Sequence, residues 1–429
     1  MGWIGYSPDM TSGVQHGPLH GLRVADFSRV LAGPYASMLL ADMGADVIKV
    51  ERPPHGDDTR TWGPPWTPTG PDGADEATYF LGVNRNKRSV AIDLHTPEGR
   101  EAARQLILAS DVLIENFKAG TLDRLGLGET ALRNQHPGLI RASITGFGIA
   151  AGAHLPGYDL VVQAVGGLMS ITGGGADQPT KVGVALVDVI TGLHAALGVV
   201  AAVHHRDATG GKQHGEGQHI EVNLLSSLLS ALVNQSSAFV AGGVVPGIMG
   251  NEHPSIAPYE VFQAADKPLV LAVGNDGQFA RLCEALGEPA TADDPRFATN
   301  PDRVENREAL RQWLTTHLAE RSADRWFADL MAVGVPCGPI NAIDEAIALA
   351  NSLGLDPVTK IDGVPTVSNP IDFSTSPVAY RRRPPQVGEH TAEVFAELGI
   401  PWPSAGSAAD SAQEPAQEPA QEPAQEPAP

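Results

Sequence analysis

The sequence predicts an α/β fold: a doubly wound parallel sheet joined to a second, smaller α+β unit. Three observations carry this. Short apolar runs alternate with helical segments from residue 21 to 145. The helices between them start and stop on capping residues. A stretch rich in glycine and proline, 242–258, then leads into a new set of strands and helices.

Residues 22–27 form the first apolar strand. Residues 34–43 read as a helix, with Pro34 at its start and Gly44 just past its end. Residues 47–50 give a second strand. Thr96 and Pro97 open a helix that runs to about Ala109. Strands follow at 112–115 and 139–144. A long apolar helix spans 189–205, and Gly192 and Gly198 would let a neighbour approach closely. A glycine-rich loop covers 210–217, and 224–240 reads as one further helix. In the smaller unit, 269–273 is a strand and 276–286, 307–318 and 323–333 are helices. A last helix lies near 391–398, after Arg381-Arg382-Arg383-Pro384-Pro385.

Composition narrows the function. Of 429 residues, 42% are hydrophobic, as in ordinary globular proteins. No apolar run approaches the ~20 residues needed to cross a bilayer, so no membrane partner is expected. The first 17 residues lack the basic start and apolar core of a signal peptide, so a flexible extension on a cytoplasmic protein is expected. Two cysteines, Cys283 and Cys337, are too few for a disulfide framework or a cysteine zinc site; both read as packed thiols, and no metal is expected. The net charge is −21, and the chain stays acidic without the five carboxylates of its tail. Such a chain is not a nucleic-acid binder, and an anionic ligand needs local basic groups. The tail repeats Ala-Gln-Glu-Pro four times from Ala412 to Pro427 and reads as disordered.

Ligands of doubly wound sheets bind beyond the carboxyl ends of the strands. That rule selects Arg29 and Val30, Glu51 and Arg52, Asn116 and Phe117, and Thr145 and Gly146. Basic residues gather nearby: Arg52, Arg85, Lys87, Arg88 and Arg124 suit a phosphorylated ligand. Gly146-Phe147-Gly148-Ile149-Ala150-Ala151 follows a strand, as a dinucleotide fingerprint would. No acidic residue ends a following strand to hold a ribose, so a nicotinamide site is not expected. There is no Walker A loop, and Gly173-Gly174-Gly175 reads as a turn. Asp188 follows an apolar run and precedes the long helix. It reads as a helix N-cap. Ionised beside the helix dipole, it equally suits a carboxylate nucleophile.

Several motifs occur in order between about Pro18 and Ile400. They are Leu31-Ala32-Gly33-Pro34, Gly44-Ala45-Asp46-Val47-Ile48-Lys49-Val50-Glu51-Arg52, Asn84-Arg85-Asn86-Lys87-Arg88-Ser89, Glu115-Asn116-Phe117 with Leu122-Asp123-Arg124, Pro156-Gly157-Tyr158-Asp159, and Gly338-Pro339-Ile340-Asn341. With them the sequence resembles the class III CoA transferases. The resemblance implies transfer of CoA between carboxylic acids, with no permanently bound cofactor and with acyl-CoA and a carboxylic acid as substrates. It implies Asp188 as the nucleophile, forming a mixed anhydride and then an aspartyl-CoA thioester. It places Val30, Leu31, Arg52, Asn84, Arg85, Asn86, Lys87, Asn116, Phe117, Arg124 and Tyr158 around CoA.

The same resemblance implies a Rossmann-like large domain built from both chain ends, in an interlocked-ring homodimer. On that plan 1–17 is the extension, 18–241 the first part of the large CoA-binding domain, and 242–258 a linker or active-site loop. The small domain is 259–345, a linker and return to the large domain cover 346–403, and 404–429 is the tail. Leu31 stands where formyl-CoA transferases carry Gln, and Asn251-Glu252-His253-Pro254-Ser255 replaces their glycine-rich loop. Both differences point away from formyl-CoA and oxalate. Lys212 to Glu216 resembles a short insertion. The stretches 56–65 and 253–259 resemble the glutarate-type branch, which implies succinyl-CoA as donor and a small dicarboxylate as acceptor. Two alternatives stand beside this. An α-methylacyl-CoA racemase would carry His where Tyr158 stands, because stereoinversion needs a base on each face, with His154 and His194 as substitutes. A non-catalytic CoA-binding protein would not need Asp188.

Overall fold

The computed structural model describes residues 17–70, 73–211 and 215–401. The rest of the expected N-terminal extension, Lys212–Gln213–His214 of the insertion and the repeat tail lie outside the described residues.

Six parallel strands form the main sheet: β1 (Arg23–Asp26), β2 (Asp46–Glu51), β3 (Lys87–Ala91), β4 (Val112–Glu115), β5 (Ile140–Thr145) and β6 (His219–Asn223). Their order is β3-β2-β1-β4-β5-β6, the doubly wound order whose direction reverses between β1 and β4. The expected parallel sheet is therefore present. Strand β3 was not expected, because its sequence Lys-Arg-Ser-Val-Ala hides a buried strand behind two charges. Both charges are neutralised: Lys87 meets Asp26 at 3.2 Å and Arg88 meets Asp46 at 2.6 Å.

Helix α1 (Ala32–Asp42) starts two residues before the expected boundary, so Pro34 sits inside its first turn, where backbone N–H groups need no helical partner. Helix α2 (Pro97–Leu108) opens as expected, with Thr96 Oγ1 accepting the N–H of Gly99 at 2.9 Å. A short helix, α3 (Asp159–Val165), precedes the long helix α4 (Leu186–Thr209). Gly192 of α4 faces α1; a Cβ there would meet the Ala32 carbonyl at 2.6 Å. The expected helix 224–240 is two helices, α5 (Leu224–Ala231) and α6 (Val233–Val240), broken where Val233 takes a φ of 41°.

Against expectation, α4 is long and apolar enough to cross a membrane, with a mean hydropathy of 2.0. Its Val187, Ala195, Val199 and Ala202 join the core beside α1 and the sheet. Leu193, Leu197 and Val200, spaced along one face, stay exposed.

The second sheet is antiparallel and three-stranded, in the order β9 (Cys337–Pro339), β8 (Pro268–Ala272), β7 (Tyr259–Gln263). Three helices, α7 (Asp276–Ala285), α8 (Arg307–Leu318) and α9 (Ala323–Ala332), close a separate core of Phe262, Leu269, Leu271, Phe279, Leu314 and Trp326. Cys283 is buried here, and burial pushes its thiol up to about 12, as an inert packed thiol requires. The chain then returns to the first sheet. Arg381 donates to the carbonyls of Ala41 and Ala45, and Glu397 of the last helix, α10 (Thr391–Leu398), pairs with Arg23 and Arg88.

Candidate active site

The sheet's reversal point builds the site. The segment after β1 carries Arg29 and Val30, and the segment after β4 carries Asn116 and Phe117. Asn116 locks the two together: its Oδ1 accepts the Arg29 N–H at 3.1 Å and its Nδ2 donates to the Arg29 carbonyl at 2.8 Å. Val30 has a φ of 72°, a strained value for a β-branched residue. Asp57 holds it there. One Asp57 oxygen accepts the Val30 N–H at 3.2 Å; the other takes the buried Lys49 ammonium at 2.8 Å. Burial alone would raise the Asp57 carboxyl, but Lys49 and the Thr59 donors outweigh it and hold it down at about 2.

Two cavities meet at this junction. The first, about 780 Å³, is lined by Arg29, Arg52, His55, His95, Phe117 and Arg124. Arg52 is largely exposed, and its nearest carboxylate is Asp93 at 4.0 Å. Arg124 donates to Thr121 at 2.9 Å. The recess is mixed in charge: Glu51, Asp57, Asp58 and Asp93 line it too, with Lys49 paired to Asp57 and Arg29 to Asp58, so the exposed and loosely held Arg52 and Arg124 are the cations it offers an anionic ligand. The second cavity, about 710 Å³, is lined by Val30, Leu31, Asn116, the loop 145–148, Tyr158 and Asp188. Arg29, Asp58, Phe117 and Thr121 line both, so the two adjoin as one bent groove, with Arg52 and Arg124 toward one end and Asp188 toward the other.

Asp188 lies in the first turn of α4. It is not the N-cap, which is Ala185. Capping comes from another helix: Asp159 Oδ2 accepts the N–H groups of Val187 at 2.8 Å and Asp188 at 3.3 Å. The expectation of a fully ionised carboxylate is also corrected. Burial, and then the adjacent Asp159 carboxylate, push the Asp188 carboxyl up to about 7. Among the described residues no side chain donates to the Asp188 carboxylate, so its lone pairs are free to react.

Of the twelve residues expected at the site, Val30, Leu31, Asn116, Phe117, Tyr158 and Asp188 share the second cavity, while Arg52, Arg124 and Phe117 line the first. Asn84, Arg85, Asn86 and Lys87 need correction. They are 0–3% exposed and line neither cavity. Arg85 and Asn86 clamp the buried Asp42, at 2.6 and 2.7 Å. Lys87 binds Asp26, the Pro34 carbonyl and Asn84 Oδ1. Their charges and amides are consumed by the interior, where an unpaired ion is costly. Arg85→Ala is therefore expected to destabilise the fold by about 3–5 kcal/mol in urea unfolding, because Asp42 loses its cation. A small stability loss with a raised KM for acyl-CoA would make Arg85 a ligand contact instead.

Sequence reasoning missed Asp159 as a partner of Asp188, because the two are brought together only by the packing of α3 on α4. It also missed Trp62, which lines the second cavity and meets Tyr79 edge-on at 5.3 Å. Among the described residues no histidine, His154 and His194 included, lines the cavity of Asp188, where racemisation would need a second base. Among the described residues, no cluster of three or more His, Cys, Asp or Glu side chains could hold a metal.

Comparison with known proteins gives the family. The family model described as CoA-transferase family III matches residues 19–391. A succinate–glutarate CoA-transferase of Agrobacterium fabrum is 46% identical over 388 residues, covering 89% of this chain and 96% of that protein. A succinyl-CoA:glutarate CoA-transferase of Mus musculus is 39% identical, covering 89% of this chain and 86% of that one. The crystal structure of a CAIB/BAIF family protein from Brucella suis superposes with a TM-score of 0.81 at 43% identity, covering 90% of this chain and all of that one. With a matching model over most of its length and relatives well above 30% identity, the chain belongs to CoA-transferase family III.

Proposed function

We propose that this enzyme moves CoA from succinyl-CoA to a small dicarboxylate through acyl intermediates on Asp188. One observation carries the reading: the Asp188 carboxylate, to which no side chain among the described residues donates, lines a cavity that adjoins the one bearing the exposed Arg52 and Arg124. Arg52 and Arg124 suit the phosphates of CoA, with the thioester reaching past Val30 to Asp188. The relatives' substrates support the donor and acceptor classes.

The steps balance without an outside energy source. A carboxylate oxygen of Asp188 attacks the thioester carbonyl, the C–S bond breaks, and CoA leaves as thiolate from a mixed anhydride. The thiolate attacks the Asp188 carbonyl carbon and releases the donor acid, leaving an aspartyl-CoA thioester. The acceptor carboxylate attacks that thioester, giving a second anhydride and thiolate. The thiolate attacks the acceptor carbonyl, forms the new acyl-CoA and restores Asp188. Covalent exchange divides one hard step into easier ones. Each tetrahedral oxyanion needs N–H donors, and the glycine-rich loop 146–148 beside Asp188 offers backbone for this. Turnover of succinyl-CoA with a panel of carboxylic acids, followed by chromatography of the CoA esters, tests the assignment. Glutarate-sized dicarboxylates should be the best acceptors. Acceptance of long-chain or branched acyl groups alone would contradict it.

We further propose a homodimer. Leu193, Leu197 and Val200 of α4, Val240 at the end of α6, and Val244 and Val245 just after it are all exposed apolar residues, the kind of surface that marks a protein contact. A second copy would cover it, which light scattering reads directly as a doubled mass.

The buried acid also has a stability signature. The unfolded Asp188 carboxyl ionises in the ordinary carboxylate range, and the folded one near 7. Between those values the folded state holds the extra proton, so stability falls as pH rises through that window. Asp188→Asn removes the ionisation. It should be more stable than the native protein above pH 7 by about 1–2 kcal/mol, after allowing for solvent, and no more stable near pH 4. Equal Tm values for the two proteins at pH 8 would contradict this.

A further inference from the structure

Asp159 is tied into the backbone that carries Asp188, and the transfer chemistry above gives it no role. Its Oδ2 accepts two N–H groups from the first turn of α4, one of them belonging to Asp188. Its Oδ1 accepts from Gln163 Nε2 at 2.6 Å, and Gln163 Oε1 in turn accepts the Val182 N–H at 2.9 Å. Asp159 and Gln163 thus pin both ends of the segment 182–188, which has no side-chain cap of its own. The other end of the brace is fixed as well. Gly157 packs against Gly146 at the tip of β5, where a Cβ would come within 2.3 Å of the Gly146 Cα. The Gly157-Tyr158-Asp159 motif therefore joins the sheet end to the turn that aims Asp188 into the groove.

We propose that Asp159 is a positioning residue for Asp188: backed by Gln163, it fixes the first turn of α4 and places a second carboxylate beside the nucleophile. This inference rests on Asp188 being the nucleophile. The charge has a direct consequence for the covalent route. Free Asp188 repels Asp159 when ionised, whereas the anhydride and the thioester of Asp188 are neutral. Acylation therefore relieves the repulsion and favours the intermediate. The same charge makes Asp188 more basic and so a stronger nucleophile. The groups facing Asp188 fit this reading: Asp159 from α3 and Tyr79, whose phenol is pushed up by burial and by both carboxylates. Arg29, Asp58 and Lys118 complete the charged wall of the cavity.

The test is the pH profile of kcat/KM for the native enzyme, Asp159→Asn, Gln163→Met and Asp188→Asn. The native acid limb should lie near pH 7. Asp159→Asn keeps an oxygen acceptor but loses the charge, so the limb should move to lower pH by about one unit. It stops short of the ordinary carboxylate range because burial is the larger cause of the shift. Gln163→Met leaves the charge and loosens the brace. It should lower kcat by about tenfold with the limb unmoved. An Asp159→Asn enzyme with an unmoved limb, beside an inactive Asp188→Asn, overturns the proposal and leaves the nucleophile in place. An active Asp188→Asn overturns the nucleophile itself. If Asp159→Asn does not fold, Asp159→Glu keeps the charge and shifts it, so kcat should fall with the limb retained; full native kcat in both Asp159→Glu and Gln163→Met would then overturn the brace.

Discussion

Asp188→Asn is expected to lower kcat by at least about 10³-fold while leaving the KM for acyl-CoA near its native value. Asparagine matches the carboxylate in shape, so the groove and α4 keep their form. Its amide cannot form the anhydride, and among the described residues the one other carboxylate on that wall is Asp58, which is engaged by Arg29 at 3.0 Å. On the proposed route the ionised form is the attacking species. Because Asp188 is raised to about 7, kcat/KM should climb with pH through that value and level off above it. A native profile flat from pH 5 to 8 would mean that Asp188 does not carry the reaction.

The double variant Arg52→Ala Arg124→Ala should raise the KM for acyl-CoA by about 100-fold and leave kcat nearly unchanged. A charge-assisted hydrogen bond contributes about 1.5–3 kcal/mol, discounted here because both side chains meet water. Neither residue is tightly held by the fold: the exposed Arg52 meets Asp93 only at 4.0 Å, and Arg124 donates to Thr121. The overall charge of −21 makes their loss more severe, since the protein's net field repels an anion. The effect should shrink as salt is added. An unchanged KM at low salt would place the phosphates elsewhere.

The fold was readable where local signals and tertiary structure agree. Pro34, Gly44, Thr96 and Pro97 mark helix boundaries through backbone geometry alone, and the apolar runs at 22–27 and 112–115 announce strands. Strand β3 was not readable, because Lys87 and Arg88 become strand residues only when Asp26 and Asp46 neutralise them from distant strands. For the same reason Asn84 to Lys87 could be seen as a motif but not as interior braces; burial is set by packing, and a basic sequence looks the same on either side of it. The long apolar helix α4 was legible from 189 to 205; its start at Leu186 was not, because Asp188 reads as the cap of a helix that begins after it. Asp188 itself was visible as a carboxylate at a helix start. Its raised ionisation was not, since that depends on Asp159, 29 residues earlier in the chain and adjacent only after α3 packs on α4.

The most direct measurement uses the peptide that carries the nucleophile. Tryptic cleavage after Lys181 and Arg206 yields residues 182–206, in which Asp188 is the only side-chain carboxylate. The enzyme is incubated with succinyl-CoA, treated with hydroxylamine or borohydride, digested and analysed by mass spectrometry. Covalent transfer through Asp188 predicts a hydroxamate or a reduced alcohol at residue 188, dependent on succinyl-CoA and absent from Asp188→Asn. Full turnover with an unmodified 182–206 peptide, or modification of a different carboxylate, would contradict it.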